Sequence, residues 1–319
     1  MNTMTILMTI VSTTLIYASP LIFTSLGGTF SERGGIVNVG LEGIMVIGAF
    51  ASTVFSISFN ETFGAATPWL ALIVGGICGL LFSIVHAVAT VNLRANHIIS
   101  GTVLNMLAPA AAVFLTKVIY DGKGQTPIIQ QNMSTTDIPL LSKIPVIGDI
   151  FFSNTLVIGW IGILLAFASW WVLYKTRFGL RLRSVGENPE AADTLGISVY
   201  KMRYSAVLIS GMLGGIGGAI MSQAITLNYN VSTIAGQGFM ALAAMIFGKW
   251  NPIGAMFAAL FFGFAQSLSI VGAYIPIISG WNDVVFKVAP YLITIVVLAF
   301  FIGKSTAPKA DGETFIKSK

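Results

Sequence analysis

An all-α polytopic membrane protein of about nine transmembrane helices, within a range of eight to ten and including broken or re-entrant ones, is the fold class predicted by three observations. Apolar runs of roughly 20 residues, each long enough to cross a bilayer, recur along the whole chain. Only 9% of the 319 residues are charged and 55% are hydrophobic, whereas soluble domains carry roughly a quarter charged residues. The polar residues gather in short islands, and the one long basic island of the second half is Arg177–Arg203. This composition, with a mean hydropathy of +0.86, excludes a soluble globule.

The candidate spans fall at 4–29, 36–58, 68–91, 97–120, 153–174, 204–226, 237–249, 252–272 and 285–303. The first lacks the basic leader and small-residue cleavage site of a signal peptide, so it is expected to be retained. The second is preceded by Ser31-Glu32-Arg33-Gly34-Gly35 and carries Asn38 and Glu42 in apolar sequence. The seventh is short, and Gly248-Lys249-Trp250-Asn251-Pro252 separates it from the eighth. Both predict broken helices, which persist only where the freed backbone is buried in protein or lines a cavity. Glycines crowd two spans, at Gly75, Gly76 and Gly79 and at Gly211, Gly214, Gly215, Gly217 and Gly218. Small residues let helix backbones approach closely in lipid, so a tight bundle is expected.

Charge sets the orientation, because cytoplasmic loops carry the excess of Lys and Arg. Lys175, Arg177, Arg181, Arg183, Lys201 and Arg203 place the 175–203 loop in the cytoplasm, and alternation adds Arg33, Arg94 and the tail. Glu61, the 121–154 segment and Asp283 then fall outside, with the N-terminus outside and the C-terminus cytoplasmic. The organisation expected is one permease domain over 1–303, with a cytosolic loop at 175–203, an outer loop at 121–152 and a polar cytosolic tail at 304–319. The outer segment is too apolar for a free loop in its middle and too proline-broken for a span. It lies along the interface, covers a pore mouth, or forms a plain surface loop; the sequence leaves all three open.

Within the basic island, Asn188-Pro189-Glu190-Ala191-Ala192-Asp193-Thr194-Leu195-Gly196 reads as a miniature helix. Asn188 is a favoured N-cap, Pro189 suits the first helical position, and Glu190 complements the helix dipole. Gly196 suits the left-handed stop. About two turns are too short to be stable alone in water, so the helix requires a packing partner.

Glu190-Ala191-Ala192 followed by Gly196 matches the EAA-x-x-x-G core of ATP-binding-cassette importer permeases, without the usual Ile-x-Leu-Pro extension. Gly35-Ile36-Val37-Asn38-Val39-Gly40-Leu41-Glu42-Gly43, Asn96-His97-Ile98-Ile99-Ser100-Gly101 with Asn105, and Gly236-Gln237-Gly238-Phe239 through Gly254-Ala255 resemble, in order, blocks of the branch carrying branched-chain amino acid, ribose and simple-sugar permeases. The resemblance covers about residues 20 to 300, and the wording of Phe30–Gly43 is closest to the nucleoside-uptake subgroup. It implies an importer in a prokaryotic cell membrane with two permease subunits, a cytosolic ATPase and an extracytoplasmic binding protein or lipoprotein. The second permease is a distinct paralogue or a second copy of this chain. Residues Asn188, Pro189, Glu190, Ala191, Ala192, Asp193 and Gly196 would couple to the ATPase. ATP and Mg would be used by that partner, with no cofactor on this chain and no nucleic acid involved.

Other chemistry is weakly represented. Gly303-Lys304-Ser305 imitates the end of a P-loop, but Leu298 stands where its first glycine belongs and no strand precedes it. His86 and His97 have no acidic or cysteine company, and lone Cys78 sits in an apolar run, so no metal site is expected. Intramembrane polar residues are costly and face a cavity or each other. On that rule Asn38, Glu42, Asn105, Gln223, Asn228 and Gln266 are candidate pathway residues, with Phe239, Trp250 and Phe264 as stacking partners. Interhelical polar glue is the competing role for each. Glu42 touches substrate, pairs with Arg33, or sits near water. A gradient-driven secondary carrier and a structural membrane subunit are the alternative function classes, and simple sugars or branched-chain amino acids the alternative cargoes.

Overall fold

A computed structural model describes residues 3–139, 141–145, 147–272, 288 and 306–317. Apart from residue 288, the expected ninth span, 285–303, lies outside the described residues. Among the described residues ten α-helices follow in order: α1 Thr3–Arg33, α2 Leu41–Phe63, α3 Thr67–Ala87, α4 His97–Ile119, α5 Val157–Lys175, α6 Arg177–Glu187, α7 Pro189–Thr194, α8 Val199–Ile220, α9 Gln237–Phe247 and α10 Pro252–Val271. Among the described residues there is no strand, and Thr136 and Thr155 form an isolated bridge. Among the described residues, six continuous helical stretches are long and apolar enough to cross a membrane. One of them, Leu41–Asn92, reverses at Gly64–Ala66 and contains both α2 and α3. The chain is a multi-pass, all-α membrane protein.

α8 forms the centre and α4 the periphery: 72% of the most apolar window of α8's stretch is buried in protein, against 28% for α4. Leu21, Ile22, Leu26 and Phe30 of α1 pack with Leu213, Ala219 and Ile220 of α8 and with Ala241 and Ala244 of α9 in one core cluster. The expected glycine contact lies between α3 and α8. A Cβ at Gly79 would stand 2.5 Å from the Gly211 carbonyl oxygen, and one at Gly75 would stand 2.7 Å from Ala219 Cβ. Backbone touches backbone there, which is how helices associate where lipid removes the hydrophobic driving force.

The loops sort into two ends. Arg33 at the foot of α1 donates through Nε to the Trp250 carbonyl (2.9 Å) and through Nη2 to the Tyr174 hydroxyl (3.1 Å). Tyr204 hydrogen-bonds Asn92, and the amide of Ala310 donates to the Gly186 carbonyl. The α3–α4 and α9–α10 turns, α6, α7 and residues 306–317 therefore share one end, called here the basic end. At the other end Ser12 donates to the Asn154 carbonyl (2.5 Å) and Asn60 to Gln130 (3.0 Å). The 121–154 segment is packed there rather than free. The amides of Thr126, Ile129 and Met133 donate to the carbonyls of Tyr229, Leu227 and Gln223, pinning it along the stretch that follows α8.

Several boundaries depart from the sequence expectation, and two of them shape the site. α1 runs to Arg33 and its 31 residues extend about 46 Å, beyond the ~30 Å hydrocarbon core, so Glu32 and Arg33 reach past it. The next helix begins at Leu41 rather than 36, because Gly34 to Gly40 turn back toward the bundle, Gly35 taking a left-handed φ of +82°.

Candidate functional site

Among the described residues the chain breaks twice inside the bundle, and the two breaks meet. Residues 34–40 return from the basic end and start α2 beside Asn105, which lies eight residues, about 12 Å, along α4. Asn105 fixes that entry by bracketing the backbone: Oδ1 accepts from Gly43 N–H (2.8 Å) and Nδ2 donates to the Val39 carbonyl (2.9 Å). From the other end, the stretch after α8 winds through a π-helical turn at Met221–Thr226, and the loop beyond it starts α9. With 11 residues, α9 extends roughly 16 Å, half the hydrocarbon core.

Glu42 joins the two starts. Its Oε1 accepts from Gly236 N–H and its Oε2 from Gly238 N–H, each at 2.6 Å. It stands in the first turn of α2 and caps α9, so the carboxyl group faces the positive ends of two helices. That arrangement explains an acidic residue only 9% exposed inside the bundle. Gly238 has to be glycine, because a Cβ would stand 2.5 Å from the Glu42 backbone. Arg33, the partner considered for Glu42, is instead committed to the α9–α10 turn.

The remaining pathway candidates divide by place. Asn38 is buried and donates to Ser210 Oγ (3.0 Å), and Gln223 is buried with Nε2 on the Ser52 carbonyl (3.1 Å) and on Ser56 Oγ (2.9 Å). Both tie α2 or its approach to the α8 stretch. Trp250 stands at the basic end, buried, with Nε1 donating to Glu32 Oε2 (2.5 Å). Asn228 accepts from Asn230 Nδ2 (3.4 Å) within the loop before α9. Phe239 and Phe264 are 49% and 40% exposed on α9 and α10, and Gln266 of α10 keeps a buried Oε1 without a hydrogen bond in the described structure. Asn38, Glu42 and Asn105 fasten the starts of the broken helices, Gln223 ties α2 to the α8 stretch farther along, and Phe239 and Phe264 are left open.

At the basic end the miniature helix is present as α7. Asn188 Oδ1 accepts from Ala191 N–H (3.0 Å), Pro189 opens the helix, and Gly196 ends it at φ +78°. Ile197 N–H closes back on the Ala192 carbonyl (3.0 Å). Ala192 faces inward, packed with Val185, Val199 and Phe315, while Glu190, Ala191 and Leu195 face out. Sequence reasoning missed α6, the eleven-residue helix before it. Its signals were Thr176 as N-cap, bonded to Gly179 N–H (3.2 Å), and the inward row Phe178, Leu182 and Val185, with Arg177 and Arg181 exposed. It also missed that residues 306–317 are built into this end rather than forming a bare polar tail: Phe315 is 6% exposed against α7.

A tight helical bundle interrupted by half-helices that meet inside it, with a short capped helix presented at one end, is the architecture of a membrane transport permease. The chain belongs to the family described as branched-chain amino acid transport system / permease component, whose model matches residues 10–302. A nucleoside ABC transporter permease protein, NupC of Lactococcus lactis subsp. cremoris, is 61% identical over all of both chains. A guanosine ABC transporter permease protein, NupQ of Bacillus subtilis, is 54% identical over all of both chains. A second Lactococcus nucleoside permease, NupB, is 26% identical over 80% of this chain and 70% of its own.

Proposed function

We propose that this permease is one membrane subunit of an ATP-binding-cassette importer for nucleosides. The observation that carries this reading is full-length identity of 61% and 54% to permeases named for nucleosides and guanosine. The partner permease is a distinct paralogue: Lactococcus holds both a full-length relative of this chain and the more distant NupB. A cytosolic ATPase supplies the energy and binds the ATP and Mg, and an extracytoplasmic binding protein or lipoprotein delivers the cargo. The basic end faces the cytoplasm, by the distribution of Lys and Arg, which puts the N-terminus outside and the C-terminus inside. α7, with Asn188, Pro189, Glu190, Ala191, Ala192, Asp193 and Gly196, receives the push of the ATPase. Phe239, exposed one residue from the Glu42 junction, lines the pathway and stacks on the base.

Uptake of labelled guanosine by cells expressing the whole transporter, with ribose and leucine as competitors, tests the assignment. Guanosine uptake should persist when an uncoupler collapses the proton gradient while ATP stays high, and neither competitor should reduce it. Loss of uptake under those conditions identifies a gradient-driven carrier, and competition by ribose or leucine reassigns the cargo.

A further inference from the structure

The segment 306–317 is fastened to the basic end at three places. Ala310 N–H donates to the Gly186 carbonyl (2.9 Å), at the end of α6, and Gly312 N–H to the Gly35 carbonyl (3.2 Å), at the turn below α1. Phe315 is buried beneath α7, sharing a cluster with Val185, Ala192 and Val199, its ring edge-on to Tyr200 with centroids 5.9 Å apart. Between this strap and α7 runs an open cleft of about 340 Å³. Glu187 and Glu190 line its α7 side; Lys309, Glu313 and Ile316 line the strap side. All five are exposed, Ile316 at 60%.

Because Phe315 packs under the very turn that carries Glu190, strap and α7 form one body with one outward surface. Any partner that closes over the exposed face of α7 enters this cleft and touches the strap. The lining carries three carboxylates against one lysine, so the partner surface is basic where it enters, with an apolar spot to cover Ile316. We infer that the C-terminal strap is the second half of the docking surface for the cytosolic ATPase, joined to α7 through Phe315. This rests on the coupling role proposed for α7 and extends it to residues outside the EAA-type segment.

Cross-linking in native membranes of the assembled transporter tests the inference, in a Cys78→Ser background. Ala191→Cys reports α7 and Ile316→Cys reports the strap, each labelled with a maleimide–benzophenone reagent and irradiated. The partner must be identified by a peptide bearing a G-x-x-x-x-G-K-[ST] loop. Adducts to that ATPase at both positions are the expected result. An adduct from Ala191→Cys alone overturns the shared surface and leaves the coupling role of α7 standing; adducts from neither overturn both. Glu313→Lys, on the outward side and away from the Phe315 anchor, should lower ATPase co-purification about tenfold. Unchanged co-purification, with Glu190→Lys releasing the ATPase in parallel, also overturns the strap's part.

Discussion

Glu42 and Asp311 show how a single carboxyl group takes its meaning from what surrounds it. Glu42 accepts from two amides of α9, and a donor left unsatisfied away from water costs roughly 1–3 kcal/mol. Glu42→Ala should therefore destabilise the protein by about 3 kcal/mol, leaving one buried and one part-buried donor unpaired. Glu42→Gln, which retains one acceptor oxygen, should lose less than half of that. Thermal unfolding of the two variants in detergent checks the order; equal stability of Glu42→Ala and the parent would remove Glu42 from its capping role. Asp311, on the strap, is pushed from 3.8 up to about 8, first by burial and then by the neighbouring Glu32, with Arg203 pulling it down. Glu313 adds a carboxylate near that arginine. A carboxyl raised when docked holds its proton in the docked state, so docking is strongest in acid and weakens as pH rises from about 4 to about 8. Amide exchange at Ala310 and Gly312, corrected for the intrinsic rate, should be slower at pH 6 than at pH 8, and Asp311→Asn should flatten the difference. A pH-independent ratio in the parent protein contradicts this.

At the scale of elements, the α3–α8 seam holds the fold together and the α2–α9 junction shapes its interior. The seam consists of backbone contacts, so no side chain can be admitted without prying the helices apart. A Cβ at Gly215 would strike the Gly75 carbonyl oxygen. Overpacking of this kind costs typically 1–3 kcal/mol, and Gly215→Leu should exceed that range because the obstacle is backbone on both sides. The folded, monodisperse fraction on size exclusion should fall sharply, while Gly124→Leu, at a position where an added Cβ would meet nothing within 4 Å, should leave it unchanged. The short helices follow a different rule. α9 and α7 have 11 and 6 residues, lengths marginal in water, so each persists through what it touches: Glu42 for α9, and Phe315 with Val185 and Val199 for α7.

For the whole molecule, the partition of loops follows from packing, and the side proposed for each end follows from charge. A cysteine at Glu61, near the Gly64–Ala66 reversal, should react with a membrane-impermeant maleimide added to intact cells in the Cys78→Ser background. One at Glu313 should react only after the cells are opened. The reverse pattern would invert the topology without altering the fold. The arrangement also offers a route for the push proposed at α7. Residues 306–317 touch α6, α7 and the turn below α1, and α1 reaches Trp250 at the foot of α9 through Glu32 and Arg33. A push at the basic end thus has a contiguous set of contacts leading to the half-helix whose other end is held by Glu42.

The sequence by itself determined the class of fold, the broken second and seventh spans, the capped α7 and the close glycine contacts. These are local properties: hydropathy over 20 residues, caps at fixed offsets, glycines at helical spacing. It also singled out Asn38, Glu42, Asn105 and Gln223, since a polar residue in hydrocarbon needs a reason wherever it sits. What the reason is depended on partners more than 60 residues away in the chain, as with Asn105 to Gly43 and Glu42 to Gly236. Only the tertiary structure decided that these four fasten backbone and helices, that Trp250 stands at the basic end on Glu32, and that the polar-looking tail is buried through Phe315. A hydrogen-bond partner or a covering surface is a fact of three-dimensional proximity, and no periodicity in a single sequence encodes it.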